Sequence, residues 1–479
     1  KGWRYGIEGK KSHGAGHKFE SEEYYQALGP FEKEFGLAFP RFAESKSDGE
    51  KSAVSIERAY YESLMTVRRV FESQPDVVRT LGAKISARRK SMEKISATAD
   101  NDGPNLAALY DADSITPLNR PANCSYKPGS KQTLRGALAH VFNDINHKTN
   151  GAILAGAADV YGSTNTLDIG AGFAGGLWHA GRNPDSRIFS AGGITEDAIG
   201  GICSGIVTIG RHLAVGASYG AFIAPLNVIA ARTHAVAQQT IKQRNLDELT
   251  KTFVILCGHT GVKTGEDGPT HAEPNTLAFF QDNCPQGAVV TLTPWDAHDL
   301  WPLVVAGLKA RPAVLAVYVT RPSETVFDRQ SLGLAPAEDS VNGVYKLLAA
   351  NGKPDATLIY QGSDVTNVFV SDVLPRLKEK GLNLDVYYIA SCELFNLLAE
   401  SRRAEIFPAQ TSQSAMMISG FSLPTTYRWV TSERGREYTL YPHKGGAYLG
   451  SGPGEMCMKE AGLDGEAQLA AIIRFVSSS

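Results

Sequence analysis

The sequence predicts an α/β protein with two open, mostly parallel sheets, each flanked by helices. Between Thr133 and Arg321, short apolar runs alternate with segments of helical periodicity, the order expected of parallel strands joined by helices. A second alternation of the same kind follows a linker around residues 332–339. A chain of 479 residues is also too long for one ordinary core, so we expect two to three domains.

The first part of the chain, residues 1–130, is polar and irregular. Helical stretches such as Ala59 to Ser73 are separated by charge-rich segments such as residues 44–51. We interpret this part as a long connecting arm. Since it begins at Lys1 with neither an initiator Met nor a signal-peptide pattern, we expect the chain to be a piece of a longer protein.

The first α/β domain is predicted over residues 131–325. Its strands are expected at Ala152 to Ala157, Arg187 to Ser190, Leu213 to Ser218, Thr252 to Cys257, Val289 to Thr293 and Ala313 to Thr320. Its helices are expected at Thr195 to Ile209, Pro225 to Lys242 and Ala297 to Ala310.

The second α/β domain is predicted over residues 335–479. Its strands are expected at Thr357 to Tyr360, Leu384 to Ile389 and Ala415 to Ser419, and its helices at Asp364 to Lys380 and Glu393 to Ser401. The segment from Tyr360 to Asp364 joins a strand to a helix through a glycine. Such a turn either binds an anion at the helix N-terminus or is purely structural, and we favour the structural interpretation.

Charge and composition narrow the class of partner. The 48 basic and 50 acidic side chains give a net charge of −2, which provides no broad field for nucleic acid or an anionic membrane. No apolar run approaches the roughly 20 residues needed to span a bilayer. The 6 cysteines show no CxxC pairing, which is typical of core thiols in a reducing cytoplasm. We therefore expect a cytoplasmic protein that binds a small molecule or another protein.

Residues Gly170 to Gly175 match the GxGxxG pattern of dinucleotide-binding loops, and Glu196 follows at a suitable distance. That fingerprint needs an apolar strand that leads directly into the glycines. The preceding residues, 163–169, are mostly polar. We therefore interpret the match as a flexible glycine loop.

A more informative cluster is the segment 265–271, Gly-Glu-Asp-Gly-Pro-Thr-His, a short distance after a strand that ends near His259. Loops at the carboxyl ends of strands in open α/β sheets bind ligands. Two imidazoles and a carboxylate there can act as general acids or bases near neutral pH. On composition alone, a Gly-Pro turn with solvated polar residues explains the segment equally well.

The segment 265–271 resembles the transketolase signature of the pyrimidine-binding domain, and the lead-in at His259 is similar too. Further resemblances occur in the family's order. Residues 156–163 resemble the strand and loop with an Asp at the cofactor, and 193–196 resemble the segment that presents a catalytic Glu. Near the start, residues 12–15 resemble the last piece of the diphosphate-binding domain. The resemblance extends over essentially the whole chain.

The resemblance implies thiamine diphosphate as cofactor. Glu196 is then expected to bond the N1′ nitrogen of the aminopyrimidine and to be catalytic, while Phe222 stacks on the pyrimidine ring. Asp159 and Tyr219 are expected to contact the cofactor. The alternatives are that Glu196 is a first-turn acid stabilised by the helix dipole after an N-cap at Thr195, and that Phe222 is a core residue.

The resemblance also implies sugar phosphates as substrates, a ketose donor and an aldose acceptor. Phosphate is expected to bind to Arg135, Ser163 and Arg321, because a guanidinium can grip two phosphate oxygens. The sugar is expected to contact His13, His259, Asp267 and His271, with His13 and His271 also catalytic. Without the resemblance, the two arginines are ordinary surface charges.

The family's Gly-Asp-Gly motif and its downstream Asn are absent from the sequence, so we expect the ligands of Mg²⁺ or Ca²⁺ in a diphosphate-binding domain elsewhere. Thr195 also stands where the family has Arg, and Pro225 interrupts the next helix start. The predicted function is transketolase-like ketol transfer, with a homodimer that completes the site. The alternatives are a non-catalytic dimerisation or binding subunit, a deoxyxylulose phosphate synthase, or the β-subunit of an oxo-acid dehydrogenase.

Overall fold

The computed structural model divides the chain into two units, residues 1–101 and 102–479. It describes residues 16–17, 21–41, 53–97, 103–111, 113, 115–226, 228–229, 232–233, 235, 251–263, 270–271, 273–450 and 452–478.

The first unit contains the helices α1 (Glu22–Phe35), α2 (Ala53–Ser73) and α3 (Pro75–Ala97). Helix α1 begins where the Ser21 side chain accepts a hydrogen bond from the Tyr24 N–H, and it ends at Gly36, which has a left-handed φ of 61°. More of the predicted arm is therefore helical than the stretch from Ala59 to Ser73 indicated.

The second unit begins with a six-stranded sheet in the order β3-β2-β4-β5-β7-β6, and all its strands are parallel. Its strands are β2 (Ile153–Ala157), β3 (Ile188–Phe189), β4 (Leu213–Tyr219), β5 (Phe253–Gly258), β6 (Val289–Leu292) and β7 (Val314–Tyr318). They are buried on both faces, which explains why each appears in the sequence as a continuous apolar run. The predicted strands and the α/β class of this domain are confirmed.

Helices cover this sheet: α4 (Ala107–Asp111), α5 (Leu134–Lys148), α6 (Glu196–Ile209), α7 (Leu277–Phe280) and α8 (Leu300–Lys309). Helix α5 is missing from the predicted elements. Its buried residues nevertheless recur at helical spacing, at Leu134, Leu138, Val141 and Ile145. Thr133 starts it by accepting a hydrogen bond from the Gly136 N–H. The helix predicted at Pro225 to Lys242 lies largely outside the described residues.

A short antiparallel pair, β1 (Lys131–Thr133) with β8 (Ser323–Thr325), and helix α9 (Arg329–Leu332) lead to a four-stranded sheet. The order of this sheet is β12-β10-β11-β9, and β9 alone among them is antiparallel to its neighbour. Its strands are β9 (Val344–Leu348), β10 (Ala356–Gln361), β11 (Leu384–Ile389) and β12 (Ala415–Ser419). The mostly parallel second sheet is thus confirmed, and the edge strand β9 was not predicted.

The helices around the four-stranded sheet are shorter than predicted. They are α10 (Ser363–Val368), α11 (Leu374–Glu379), α12 (Cys392–Leu397), α13 (Glu400–Ile406), α14 (Thr411–Ser414), α15 (Glu433–Tyr438), α16 (Gly454–Glu460) and α17 (Gly465–Ser477). The helix predicted over 364–380 is divided by a π-helical turn at Phe369–Val373. The one predicted over 393–401 breaks at Leu398, where the backbone is extended.

Direct hydrogen bonds join the two sheets. The buried Glu393 accepts hydrogen bonds from both the backbone N–H and the hydroxyl of Thr291, at the end of the six-stranded sheet. Two residues later, the N–H of Thr293 donates to Ala390 just beyond β11. The indole of Trp295 donates to the hydroxyl of Tyr345. The two sheets therefore pack as parts of one unit.

Candidate active site

Four neighbouring strands of the six-stranded sheet, β2, β4, β5 and β7, end at the same edge. Asp159 follows β2, Tyr219 ends β4, His259 follows β5 and Arg321 lies three residues beyond β7. Because the strands are parallel, these predicted site residues all lie at the carboxyl edge. That edge is the usual position of ligand sites in open α/β sheets.

Glu196 is held against strand β4 by close packing of helix α6. Gly216 of β4 has no side chain, and a Cβ there would lie 3.1 Å from the Ile199 side chain of α6. The helix therefore approaches the strand closely, and its first residue, Glu196, accepts a hydrogen bond of 2.8 Å from the Ser218 hydroxyl. Glu196 is partly buried, whereas Ser218 is 2% exposed.

The alternative explanation for Glu196 required an N-cap at Thr195. Thr195 precedes α6, but its side chain makes no capping hydrogen bond. The Glu196 carboxylate is instead directed to the side chain of a buried strand residue. This contact fixes the carboxylate near the carboxyl end of β4, through the residue that precedes Tyr219.

Tyr219 connects two other predicted residues. Its hydroxyl donates to Ser163 Oγ at 2.7 Å, and its ring stacks on His259 with the centroids 4.0 Å apart and the planes 13° from parallel. Ser163 Oγ donates in turn to the carbonyl of Val160. Tyr219 thus fixes both the Ser163 side chain and the plane of the imidazole.

Arg135, in the first turn of α5, completes this network. Its Nη1 donates to the carbonyl of Ser163 and lies 3.0 Å from Nε2 of His259. A guanidinium has only donors, so Nε2 must accept and His259 is neutral with its proton on Nδ1. The contact to Ser163 is made through its backbone, and the Ser163 hydroxyl faces Tyr219 instead.

His271 and Phe222 form the aromatic side of the site. The two rings meet edge to face, with centroids 5.2 Å apart, and His271 lies 5.6 Å from the Tyr219 ring. The hydroxyl of Thr270 lies 2.9 Å from Nδ1 of His271. Phe222 is 38% exposed, so this ring presents a face to solvent and is not a core residue.

Asp159 and His259 have left-handed backbones immediately after their strands, with φ of 59° and 55°. Such a conformation costs non-glycine residues about 1 kcal/mol or more and is concentrated at functional sites. His259 is 1% exposed, whereas Asp159 is exposed. The turn after β5 therefore buries the His259 imidazole at the carboxyl edge of the sheet, whereas the turn after β2 leaves Asp159 exposed to solvent.

The structure brings together six predicted residues through direct contacts, namely Arg135, Ser163, Tyr219, Phe222, His259 and His271. Glu196 bonds to Ser218, the residue before Tyr219 in β4. Arg321 is partly buried at the same edge. His13 and Asp267 lie outside the described residues. The roles of all these residues stay predictions.

The hydrogen bond from Ser218 to Glu196 was not predicted from the sequence. A single hydroxyl inside the otherwise apolar run of β4 was the available signal. A buried Ser needs a hydrogen-bond partner, and an acidic residue at the start of the preceding helix can provide one.

The glycine segment 170–175 does not follow a strand. It begins at the end of a 3-10 helix, Thr166–Gly170, and the carbonyl of Ala171 accepts hydrogen bonds from Asn143 and His147 of helix α5. A 3-10 helix therefore stands where a dinucleotide fingerprint requires a strand. This agrees with the interpretation of the segment as a glycine loop.

The chemistry available at this edge is that of a fixed carboxylate, two imidazoles, a guanidinium and a partly exposed aromatic ring. Such a set can hold or move a proton and can bind an anionic group. In the part of the chain that the structure describes, no three His, Cys, Asp or Glu side chains lie together in a way that could hold a metal ion. No helix of the described residues is long and apolar enough to cross a bilayer.

One family model matches part of the chain. Residues 130–323 match the family model described as "Transketolase, pyrimidine binding domain". A transketolase from Aquifex aeolicus is 27% identical over 268 residues, which cover 56% of this chain and 35% of that protein. A transketolase from Halalkalibacterium halodurans is 25% identical over 348 residues, which cover 71% of this chain and 46% of that protein. The chain thus spans less than half the length of these relatives.

Solved structures agree on the fold. A transketolase from Leishmania mexicana superposes with a TM-score of 0.63 at 14% identity, covering 96% of this chain and 59% of that one. A transketolase from Campylobacter jejuni gives a TM-score of 0.59 at 16% identity, covering 95% and 59%. The domain boundaries at 130, 325 and 335 stay predictions. Residues 130–323 therefore match the pyrimidine-binding domain of transketolases, and the chain shares the fold of the transketolase structures.

Proposed function

We propose that this chain supplies the pyrimidine side of an enzyme that transfers ketol units between sugar phosphates with thiamine diphosphate. The observation that supports this function best is the Glu196 carboxylate, which Ser218 fixes near the end of β4, the strand that leads into the partly exposed Phe222. The carboxylate and the ring are the two features that an aminopyrimidine requires from this side of the site.

The residues present fit the cofactor. Phe222 is exposed enough to stack on a flat ring, and Glu196 lies at the start of the helix that packs over the adjacent strand. Asp159 and Tyr219 lie at the same edge. Bound thiamine diphosphate supplies the nucleophile that attacks a ketose carbonyl. Mg²⁺ or Ca²⁺ would bind with the diphosphate in the diphosphate-binding domain.

Glu196 would hold a proton in its hydrogen bond to the aminopyrimidine N1′. Ser218 donates to Oε1, so the carboxylate cannot rotate freely and Oε2 is available to the ring nitrogen. Phe222 would fix the plane of the ring on the same side.

The histidines and arginines would bind the sugar phosphate. Arg135 uses Nη1 for Ser163 and His259, and a guanidinium has five N–H donors, so it can bond phosphate oxygens as well. His259, His271 and Asp267 would bond the sugar hydroxyls, and Arg321 and Ser163 would join Arg135 at the phosphate. His13 and His271 would assist proton transfer.

A second copy of the chain is the proposed partner. The outward face of α6 is apolar, with Ile202 38% exposed and Ile209 77% exposed, and the exposed Gly201 and Gly205 leave it flat. Exposed apolar faces of this kind are typical of protein interfaces, and a homodimer buries the same face on both copies. The free cysteines suit a reducing compartment, so we propose the cytoplasm.

The test is a coupled assay with xylulose 5-phosphate and ribose 5-phosphate, performed on the protein with its diphosphate-binding domain present. We expect turnover that Glu196→Ala abolishes, a loss of about 10²-fold or more. Asp197→Ala, at the exposed neighbouring acid, is the matched control and should keep its turnover. Circular dichroism should show that both variants are folded.

Other outcomes identify the alternatives. Turnover with pyruvate and glyceraldehyde 3-phosphate in place of the sugar pair would indicate a synthase of deoxyxylulose phosphate. Absence of any turnover, with dimerisation intact, would indicate a binding subunit and contradict the proposed function.

A further inference from the structure

The loop that follows β5 is held at both ends by the domain of the four-stranded sheet. On the outgoing side, the Val262 N–H donates to Oδ2 of Asp364 at 3.2 Å. On the returning side, the Ser422 N–H donates to the carbonyl of Pro274 at 2.9 Å. Gly261 and Glu273 also pair with each other in an antiparallel bridge. The base of the loop is therefore closed, with His259 just before one end and His271 just before the other.

Three glycines surround the Asp364 carboxyl, and it has room there because they carry no side chains. A Cβ on Gly261 would lie 2.6 Å from Oδ2, and one on Gly420 would lie 2.1 Å from Oδ1. Gly362 is also close, because a Cβ there would lie 3.0 Å from Oδ1. Real Cβ atoms do not approach oxygens that closely, so the backbone surrounds the carboxyl at positions without side chains. Both oxygens are used, because Oδ1 accepts from the Val365 N–H at 2.9 Å.

The burial of this carboxyl is nearly complete, since Asp364 is 1% exposed. Burial raises the pKa of Asp364, and the hydrogen bonds from the Val262 and Val365 N–H groups oppose that rise. The charge of Lys263 lowers the pKa of Asp364 and that of Glu324 raises it, and these two side chains pair with each other at 2.7 Å. Burying a carboxyl costs free energy unless it is hydrogen-bonded. This carboxyl accepts one hydrogen bond within its own short helix and a second from the loop of another domain.

We propose that Asp364 is a positioning residue, which fixes the backbone after β5 at Val262 so that His259 keeps its place against Tyr219. The turn at His259 is left-handed and therefore needs support, and Val262 is only three residues further along the chain. The part of this inference that concerns substrate binding rests on the proposed function. The part that concerns the loop does not.

The first experiment measures hydrogen–deuterium exchange in the whole chain with Asp364→Ala and Asp364→Asn. The alanine removes the acceptor of the Val262 N–H, so amides of residues 259–263 should exchange about tenfold faster or more. The asparagine keeps one acceptor oxygen of the two and should fall between alanine and the wild type. Gly261→Ala breaks the same contact from the loop side, and it replaces the alanine variant if that one does not fold.

Asp385→Asn is the matched control. Asp385, in strand β11 of the same domain, also accepts a loop N–H, that of Ala350, and its hydrogen-bond and ion-pair partners among the described residues lie outside the loop after β5. It should leave exchange at 259–263 unchanged. Equal acceleration at residues 259–263 and in strand β10 would mean that Asp364 only contributes to packing, and it would overturn the proposal. Unchanged exchange at 259–263 would overturn it too.

The second experiment separates KM from kcat in the coupled assay. A loosened loop should raise KM for the sugar phosphate about tenfold in Asp364→Asn, with a smaller change in kcat. An unchanged KM beside locally faster exchange would reject a role in substrate positioning. If the wild type has no turnover, the proposed function fails, and exchange alone still decides whether Asp364 fixes the loop.

Discussion

The two sheets use their carboxyl edges differently. Beyond the six-stranded sheet, Tyr219, Phe222 and His271 contact one another and remain partly accessible, and Ser218 fixes the partly buried Glu196. Beyond the four-stranded sheet, Gln361 and Asp364 are 1% exposed, and they face the neighbouring domain. The same strand–loop–helix geometry thus forms an open edge in one domain and a closed edge in the other.

This difference shows that the position of polar residues after a parallel strand does not by itself identify a ligand site. The turn from Tyr360 to Asp364 has the sequence features of an anion site, but the Asp364 carboxyl itself accepts the N–H of Val365 at the start of the helix. An open edge should therefore respond to substitution mainly in ligand binding. A substitution at the closed edge should mainly lower the free energy of unfolding.

Gly420→Ala should have the largest effect, and the effect should be on stability. Its Cβ would lie 2.1 Å from Oδ1 of Asp364, inside a fully packed edge. Overpacking of this kind costs about 3 kcal/mol of unfolding free energy, which urea denaturation measures. Gly445→Ala is the control, because nothing lies within 4 Å of its Cβ, and it should change stability little. A Gly420→Ala variant as stable as the wild type would show that the closed edge can adjust.

Arg135→Ala should come next, with its main effect on ligand binding at the open edge. The substitution removes a donor to His259 and the proposed phosphate contact, and charge-assisted hydrogen bonds contribute about 1.5–3 kcal/mol. We expect KM for the sugar phosphate to rise about 10- to 100-fold. Arg211→Ala, at an exposed arginine after α6, should leave KM unchanged. Equal KM values for the two variants would place the phosphate elsewhere.

Sequence patterns predicted the sheets better than the contacts between them. Strands β4 and β5 were predicted within about two residues, because strands buried on both faces are continuous apolar runs. Strand β9 was missed because it is a short edge strand with Lys346 at its centre, which weakens the apolar pattern.

In the site, too, the sequence predicted individual residues better than the contacts between them. Motif resemblance identified His259 and Glu196 individually. The bond from Ser218 to Glu196 depends on the packing of α6 over Gly216, and the bond from Val262 to Asp364 joins residues 102 positions apart. Neither contact follows from local periodicity, because each requires the tertiary arrangement of two elements.

Phe222→Ala tests whether the open edge binds a flat ring. Stacking on an aromatic side chain contributes about 0.5–1.5 kcal/mol beyond buried area, so affinity for thiamine diphosphate should fall about tenfold. Because the ring is 38% exposed, the stability of the fold should change much less than for a core Phe. Calorimetric titration with the cofactor measures the effect. Phe279→Ala, at a ring 44% exposed, is the control, and an equal loss of affinity there would contradict a specific stack.

The smallest effect, and the sharpest comparison of the two edges, is expected from two buried serines. Ser218, near the end of β4, donates to Glu196, and Ser419, at the end of β12, accepts the N–H of Phe421. Each alanine variant removes one hydrogen bond, with an expected cost of about 1 kcal/mol. In Ser218→Ala this cost should appear as roughly fivefold lower kcat/KM, because Glu196 loses the contact that orients it. In Ser419→Ala it should appear in urea denaturation, with kcat/KM unchanged. If both variants lose only stability, Ser218 holds Glu196 for packing, and the open edge does not depend on the orientation of that carboxylate.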